Sequence, residues 1–282
     1  VQDLVQHTYS TNILYATGNK WNYERSGYDA YFLKSIDGGQ TYSNINLSEL
    51  FSIEGNVISR VAVSPANPEV IYLVAVIDDR SSTNISSELI LLKSTNGGES
   101  FVKTDFDGGN INLYQAWYDL TLTVSPENSE HVYIGTINLW KSTDGGNTFN
   151  QNVNFGYDHP WHVDQHSVKF QNGVLYTAND GGIYRALDDI NRFESLNTGL
   201  NITQFYQLSL SPFDSNKLIA GSQDNGGFYY DNGQWDRWTG GDGMDNAISY
   251  VQEGLYYQFV QGCISLQVSE NFGEWPKYSV PP

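Results

Sequence analysis

Residues 162–166, which read HVDQH, are the densest group of side chains suited to chemistry. On an extended strand, residues two apart share a face, so His162, Asp164 and His166 are predicted to point together. Two imidazoles and one carboxylate suit Zn²⁺ or a similar ion. The same side chains could instead perform acid–base catalysis or form a structural hydrogen-bond network. His159 could join any of these arrangements.

Two glycine-containing loops carry the next group of polar residues. The loop TANDGGIY contains Asn179 and Asp180, and the loop GSQDNGGFY contains Gln223, Asp224 and Asn225. Because bulky side chains are absent beside the acids, backbone and carboxylate could both approach a ligand or a hard cation such as Ca²⁺. We therefore predict ligand-binding roles for these residues. The alternative for each loop is an Asx-turn that caps a hairpin.

A carboxylate pair is a further possibility. The stretch WTGGDGMDN adds Asp242 and Asp245. Asp224 with Asp242, or Asp164 with Asp224, would supply the two acids that glycoside hydrolysis needs, one with a raised pKa and one ionised. Asp164, Asp224 and Asp242 are thus catalytic candidates, and Asp245 is a ligand-binding candidate. The alternative is a glycine-rich loop with solvated acids.

Aromatic residues near these positions could stack on sugar rings or pack beneath the loops. They are Trp117, Tyr118, Trp161, Phe205 and Tyr206. Aromatic side chains in sheets usually belong to the core. Trp161 lies between a proline and a histidine in a polar turn, so it alone is predicted to be exposed and to bind ligand.

The chain is strongly acidic, with a formal net charge of −18 from 32 acidic and 14 basic residues. This charge repels phosphate backbones and anionic lipid headgroups, so nucleic acid is not expected as a partner. No run of about 18 apolar residues occurs, so membrane insertion is not expected either. Neutral sugars, peptides, cations and basic proteins are compatible with this composition.

A polar nine-residue stretch recurs along the chain, as KSIDGGQTY from Lys34, KSTNGGESF from Lys93 and KSTDGGNTF from Lys141. Weaker copies are ALDDINRF, YYDNGQW and SENFGEW. Their spacing approaches the roughly 40 to 50 residues of a four-stranded propeller blade. Alternating strands with Ser-Pro turns recur in phase with these copies. The recurrence indicates architecture rather than catalysis.

Each copy has the composition of a tight turn between two strands. Asp37, Asn96 and Asp144 are predicted to accept hydrogen bonds from backbone N–H groups of the turn, and glycines supply positive φ angles. The following aromatics, Tyr42, Phe101 and Phe149, are predicted to pack between blades. The structural residues of the turns are Ser35, Asp37, Gly39, Ser94, Asn96, Gly98, Ser142, Asp144 and Gly146.

These patterns predict an all-β fold, a β-propeller of four-stranded antiparallel blades. Six blades are countable, and seven or more are expected if the chain is a fragment. The chain is predicted to form one domain, 1–282, with blades at roughly 1–50, 56–106, 117–155, 162–198, 203–240 and 245–282. In a propeller, residues before the first strand of a blade and residues between its second and third strands converge on one rim. The polar residues above occupy those positions.

The pattern Ser-x-Asp-x-Gly-x-Thr-aromatic resembles the Asp-box, or BNR repeat, of sialidases, sortilin-type receptors and xyloglucanase-type glycosidases. This resemblance implies a β-propeller and leaves function open. The second half, with HPWHVDQHSVKF, GSQDNGGFYY and GGDGM, is similar to secreted BNR propellers of the sortilin-like and glycosyl-hydrolase-like group. That similarity implies a secreted or cell-surface location, and possible membership of a larger multidomain surface protein.

Two function classes follow. A sialidase is not expected, because its arginine cluster and Arg-Ile-Pro start are missing from this sequence. The favoured hypothesis is a binding module that captures a glycan or protein ligand on the rim carrying His162, Asp164, His166, Asp224 and Asp242. The alternative is a glycoside hydrolase-like enzyme that uses a carboxylate pair or a metal at the same rim. No cofactor is required by the sequence, although Ca²⁺ or Zn²⁺ is compatible with it.

Overall fold

The computed structural model describes residues 1–24, 27–47, 50, 56–78, 87–151, 161–263, 265–271 and 278–280. These residues belong to two compact units, Val1–Leu196 and Asn197–Pro282. His159 and part of the last copy of the glycine turn lie outside the described residues.

The first unit contains four sheets, each of four antiparallel strands in chain order. Sheet 1 consists of β1 (Asp3–Gln6), β2 (Leu14–Asn22), β3 (Gly27–Ser35) and β4 (Ser43–Asn46). Sheet 2 consists of β5 (Asn56–Val63), β6 (Ile71–Asp78), β7 (Ser87–Ser94) and β8 (Val102–Lys103). A helical turn, α1 (Ala116–Asp119), leads into sheet 3, which consists of β9 (Thr121–Val124), β10 (Val132–Gly135), β11 (Leu139–Ser142) and β12 (Asn150–Gln151). Sheet 4 consists of β13 (Gln165–Gln171), β14 (Val174–Asn179), β15 (Gly182–Asp188) and β16 (Arg192–Ser195).

Consecutive sheets of this unit pack face to face through apolar side chains. Strand β6 shows why, because both of its faces are apolar. Ile71 and Leu73 point into the core shared with sheet 1, whereas Tyr72 and Val74 point into the core shared with sheet 3. Successive side chains on a strand alternate between faces, so a continuous apolar run is buried on both sides. A third core lies between sheets 3 and 4.

The glycine turns join the third and fourth strands of the first three sheets. In the third turn, the Ser142 hydroxyl donates to Asp144 Oδ1 at 2.8 Å, and the Gly146 N–H donates to Ser142 Oγ at 2.8 Å. The Thr148 N–H and hydroxyl both donate to the Asp144 carboxylate, at 2.9 and 2.7 Å. The other two turns repeat the serine contacts. The hydrogen bonds and positive φ angles that the sequence predicts are thus present.

The aromatic residues after these turns differ in how far they are buried. Phe101 is buried and packs on Phe32, and Phe149 contacts Phe106. The expectation that Tyr42 also packs between blades is wrong, since its side chain is exposed. Tyr42 follows the turn of sheet 1, where its ring lies over Gly39 rather than in the core shared with sheet 2.

We expect Gly146→Ala to lower the stability of the first unit by about 2 kcal/mol. Gly146 has a φ of +88°, and a Cβ there would lie 2.3 Å from Leu91 Cδ2. Gly38→Ala is the matched control, because Gly38 has a φ of +73° and its nearest obstacle is 3.9 Å away. Urea denaturation should show the larger loss for Gly146→Ala. Equal losses would contradict the packing argument.

Charged residues also link consecutive sheets. The lysine before each glycine turn is the cross-strand partner of a tyrosine, and the pairs are Tyr15–Lys34, Tyr72–Lys93 and Tyr133–Lys141. Each lysine also forms an ion pair with an acid of the next sheet: Lys34 with Glu99 at 2.6 Å, Lys93 with Glu130 at 2.8 Å, and Lys141 with Asp189. The last of these pairs, Lys141 with Asp189, helps to hold sheet 4 against sheet 3, and the loops of these two sheets carry the candidate site.

The second unit contains two more four-stranded antiparallel sheets. Sheet 5 consists of β17 (Phe205–Leu210), β18 (Lys217–Ser222), β19 (Gly226–Asp231) and β20 (Gln234–Arg237). Sheet 6 consists of β21 (Gly243–Ile248), β22 (Tyr256–Val260), β23 (Ser265–Ser269) and β24 (Tyr278–Val280). Their shared core contains Ile219, Trp238, Ile248 and Tyr256.

The described chain is therefore all-β, with six four-stranded antiparallel sheets, which is consistent with a β-propeller. This confirms the predicted fold class at that level. Within the described ranges, no helix is long and apolar enough to cross a membrane.

Candidate functional site

The helical turn α1 brings an acid that the sequence analysis did not select. Residues three apart in a helix lie on the same side. Ala116 and Asp119 are accordingly buried, and Asp119 is only 1% exposed, whereas Trp117 and Tyr118 point outward with 55% and 37% exposure. The turn thus places a carboxyl group inside the first unit and two aromatic rings at its surface.

Gln115 connects this buried acid to the loop before β13. Its side-chain amide nitrogen donates to Asp119 Oδ2 at 3.1 Å and to Asp164 Oδ1 at 2.6 Å. The Asp164 N–H donates to the Ile137 carbonyl at 2.9 Å, which holds the loop before β13 against the turn between β10 and β11. One neutral amide therefore lies between two carboxyl groups from different sheets.

A second set of contacts brings in the turn between β14 and β15. His166 Nε2 lies 2.5 Å from Asp180 Oδ1, and the Tyr118 hydroxyl donates to both oxygens of Asp180, at 3.0 and 3.1 Å. The rings of Tyr118 and His166 meet edge to face, with centroids 4.5 Å apart. We call the group Gln115, Tyr118, Asp119, Asp164, His166 and Asp180 the rim site.

The electrostatics of the rim site favour the protonated forms of Asp119 and Asp164. Burial raises the pKa of Asp119 to about 7; the hydrogen bond from Gln115 opposes that shift and the charge of Asp164 adds to it. Burial also raises the pKa of Asp164 to about 6, and the charge of Asp180 adds to the shift. His162 and His166 act against the shift at Asp164. Both acids therefore titrate near neutral pH, where a small change of environment alters their charge.

Asp119 Oδ1 and Gln165 Oε1 are buried acceptor atoms that have no hydrogen-bond partner among the described residues. Gln165 is fully buried, and its amide nitrogen donates to the His162 carbonyl at 3.0 Å. A buried acceptor without a donor costs about 1–3 kcal/mol. The region therefore has unused capacity to accept hydrogen bonds.

The predicted arrangement of His162, Asp164 and His166 on one face of an extended strand is wrong. Strand β13 begins only at Gln165, and Asp164 has a φ of 65°, in the left-handed region. The pairing of β13 with β14 is irregular between Gln165 and Ser167, where His166 lies. Among the residues that the structure describes, no group of three or more His, Cys, Asp or Glu side chains could hold a metal ion.

The predicted exposure of Trp161 is also wrong. Its side chain is only 4% exposed and belongs to the core between sheets 3 and 4. The indole stacks on Phe193 with a centroid distance of 5.2 Å, and its N–H donates to Thr177 Oγ1 at 3.1 Å. The ring packs into the apolar core between sheets 3 and 4, although its neighbours in the sequence are polar.

The loop residues Asn179 and Asp180 have different partners. Asn179 accepts a hydrogen bond from the Gly181 N–H at 3.1 Å and donates to the His162 carbonyl at 2.7 Å, as the Asx-turn alternative requires. Asp180 instead belongs to the rim site. The structure thus separates a turn-forming residue from its site-forming neighbour.

The remaining predicted residues lie in the second unit. The Asp224 N–H donates to Asp242 Oδ1 at 2.7 Å, so these two candidates do meet, through backbone and carboxylate. In the turn between β18 and β19, the backbone N–H and the side-chain amide of Asn225 both donate to the Gln223 carbonyl, at 2.6 and 3.1 Å. Asp245 was placed ahead of the first strand of its blade, but it lies within β21, with an exposed side chain.

The comparisons with known proteins concern structure only. No family model and no curated protein matches the chain. A GH74 enzyme from Niastella koreensis is similar with a TM-score of 0.47 and 19% identity, over 100% of this chain and 45% of the other. A GH74 xyloglucanase from Xanthomonas campestris gives 0.48 and 17%, over 100% and 45%. A structure described as YCF48 bound to D1 peptide gives 0.46 and 12%, over 97% and 79%. The chain thus spans less than half the length of the GH74 proteins.

Asp119 and Gln115 are the residues that sequence reasoning missed. Asp119 lies two residues before β9, the first strand of sheet 3. Positions just before a first strand carry the candidates that the sequence predicts for sheets 4 and 6. The same rule applied to sheet 3 selects Asp119, whereas no sequence signal marks Gln115.

Proposed function

We propose that this protein is a propeller-type binding protein that holds a glycan or protein ligand at the rim site. The observation that carries the proposal is Asp119, whose Oδ1 is buried without a partner among the described residues. Buried polar groups without a hydrogen-bond partner often mark functional sites, because a bound ligand can supply the donor that the protein lacks.

The surface beside this acid fits ligand binding. Trp117 and Tyr118 are exposed, with ring centroids 5.7 Å apart. Aromatic rings next to carboxyl groups can stack on a ligand while the acids accept its hydrogen bonds. Asp164 provides such an acceptor from the loop before β13, whereas the side chain of Asp180 is only 6% exposed and contacts Tyr118 and His166.

A glycoside hydrolase-like activity is the second candidate. It is favoured by the raised pKa values of about 7 for Asp119 and about 6 for Asp164, since a general acid works best with a pKa near the working pH. The position of Gln115 speaks against it, because its amide already donates to both acids and a glycosidic oxygen, which has no donor, could not replace it. Release of reducing sugar from neutral polysaccharides, lost in Asp164→Asn, would establish hydrolysis.

We further propose that the protein acts outside the cell, as a secreted or surface component of a larger assembly. The resemblance of its repeats to secreted propellers supports this location. The formal charge of −18 suits neutral or basic ligands there.

Glycan and peptide arrays test the binding function. Any ligand found should bind about 2- to 13-fold more weakly to Trp117→Ala, because a stacked aromatic contributes about 0.5–1.5 kcal/mol. Trp21→Ala is the matched control, since Trp21 is an exposed tryptophan of sheet 1. A ligand that binds both variants with equal affinity would place the binding site elsewhere. If no glycan or peptide on the arrays binds, the proposed binding function is wrong.

A further inference from the structure

We infer that the rim site accepts the cationic end of a basic side chain, arginine above all, from a protein ligand. This inference rests on the proposed binding function and specifies its ligand class. It is carried by the shortage of positive charge around Asp119 and Asp164, by the buried acceptor Asp119 Oδ1, and by the position of Gln115.

The rim site holds more negative than positive charge. Asp164 and Asp180 act on each other, and Asp164 also acts on Asp119. The imidazoles of His162 and His166 act on Asp164, and that of His166 also acts on Asp119. Arg60 donates to the carbonyls of Leu120 and Ser59, and to neither acid. Of the ion pairs between described residues, none joins a lysine or arginine to Asp119 or Asp164. A ligand cation would supply the missing charge.

The unpartnered atom of the rim site is an acceptor, Asp119 Oδ1, and it requires a donor. A guanidinium offers five N–H donors and no acceptor, and its planar fork suits two carboxyl groups at once. A sugar hydroxyl can also donate, but it cannot neutralise a carboxylate.

The acids of the rim site suit an organic cation better than a metal ion. Among the described residues no group of three or more His, Cys, Asp or Glu side chains could hold a metal ion, although the rim site contains three aspartates. Hydrogen-bonded cations accept longer separations, because N⁺–H···O⁻ distances are about 2.7–2.9 Å. Trp117 could then lie against the guanidinium plane from outside.

Gln115 lies where this cation would bind. Its amide nitrogen already donates to both Asp119 and Asp164, at 3.1 and 2.6 Å, but it carries no charge. Its side chain is only half-buried, so it can rotate away. We therefore expect an entering guanidinium to displace the Gln115 amide and donate to both acids in its place.

The binding experiment compares two peptides that differ only in charge. Acetyl-Gly-Arg-Gly-amide and the same peptide with neutral citrulline are titrated calorimetrically at pH 8 and 0.15 M salt. The arginine peptide should bind at least about tenfold more tightly. Asp119→Asn should abolish this preference, whereas Glu253→Gln, which removes one charge from the second unit, should preserve it. Equal binding of the two peptides, or a preference that survives Asp119→Asn, would overturn the inference.

A tethered cation gives a second readout that needs no ligand. Gln115→Lys should place an ammonium group beside Asp119 and Asp164, raise the melting temperature at pH 8 and prevent binding of the arginine peptide. Gln115→Met is the neutral control of similar length and should not raise the melting temperature. A Gln115→Lys protein that is no more stable than Gln115→Met would contradict the inferred cation position.

The two proposals fail in different ways. If a neutral glycan binds in a Trp117-dependent manner while arginine and citrulline peptides bind alike, the binding function stands and the arginine inference falls. If no glycan or peptide binds, the binding function falls, and the arginine inference falls with it.

Discussion

Asp119→Asn is expected to stabilise the protein at pH 8 by about 2–4 kcal/mol while leaving its stability at pH 4 nearly unchanged. The side chain is 1% exposed, and burial raises its pKa to about 7. In an unfolded chain the carboxyl group titrates near 3.9. A neutral amide of the same shape avoids the cost of an ionised, partly unpartnered buried group.

The direction of the pH dependence follows from proton uptake. Below about pH 4 the carboxyl group is protonated in both folded and unfolded chains, so it brings no penalty. Between about pH 4 and pH 7 the unfolded chain loses the proton and the folded chain retains it, so stability falls as pH rises. Above about pH 7 the full penalty is present. Asparagine has no such titration, so the variant should lose this part of the pH dependence.

Thermal unfolding at pH 4 and pH 8 measures the effect. Glu253→Gln serves as the matched control, because it removes a negative charge from an exposed position and should shift the melting temperature at neither pH. If Asp119→Asn is as stable as the parent protein or less stable at pH 8, the carboxyl group is not a stability cost, and the main support for the binding site is lost.

Trp161→Ala is expected to cost about 3–5 kcal/mol of stability. The ring lies in the core between sheets 3 and 4, where it stacks on Phe193 and donates to Thr177. Alanine would leave a cavity and remove the donor to Thr177. Such a loss approaches the whole stability of many domains.

Trp117→Ala provides the comparison, since that indole is 55% exposed. Surface substitutions of this kind usually change stability by less than about 0.5 kcal/mol. Urea midpoints should therefore separate the two tryptophan variants clearly, with Trp161→Phe in between because it keeps the stack and loses the N–H donor. Similar midpoints for Trp161→Ala and Trp117→Ala would contradict the burial of Trp161.

The sequence predicted the sheets and their turns because those features depend on near neighbours. In the third glycine turn, Ser142, Asp144, Gly146 and Thr148 satisfy one another within seven residues. The alternation of apolar residues similarly identifies strands such as β6. These local rules hold wherever the segment is packed, so six four-stranded sheets could be inferred without coordinates.

The sequence was less informative about the site, because residues far apart in the chain decide it. Asp164, His166 and Asp180 are candidates from the sequence, but their partners Gln115 and Tyr118 come from the segment before another sheet. The expected strand geometry also failed, since Asp164 turns the backbone into the left-handed region before β13 begins.

The sequence by itself determined the repeat, the turn chemistry and the acidic character of the chain, since each of these is a property of short segments or of composition. Only the tertiary structure decided which acid is buried, which tryptophan is exposed and which side chains meet. Burial and the resulting pKa shifts depend on how sheets 3 and 4 pack, because desolvation is imposed by atoms that lie far away in the sequence.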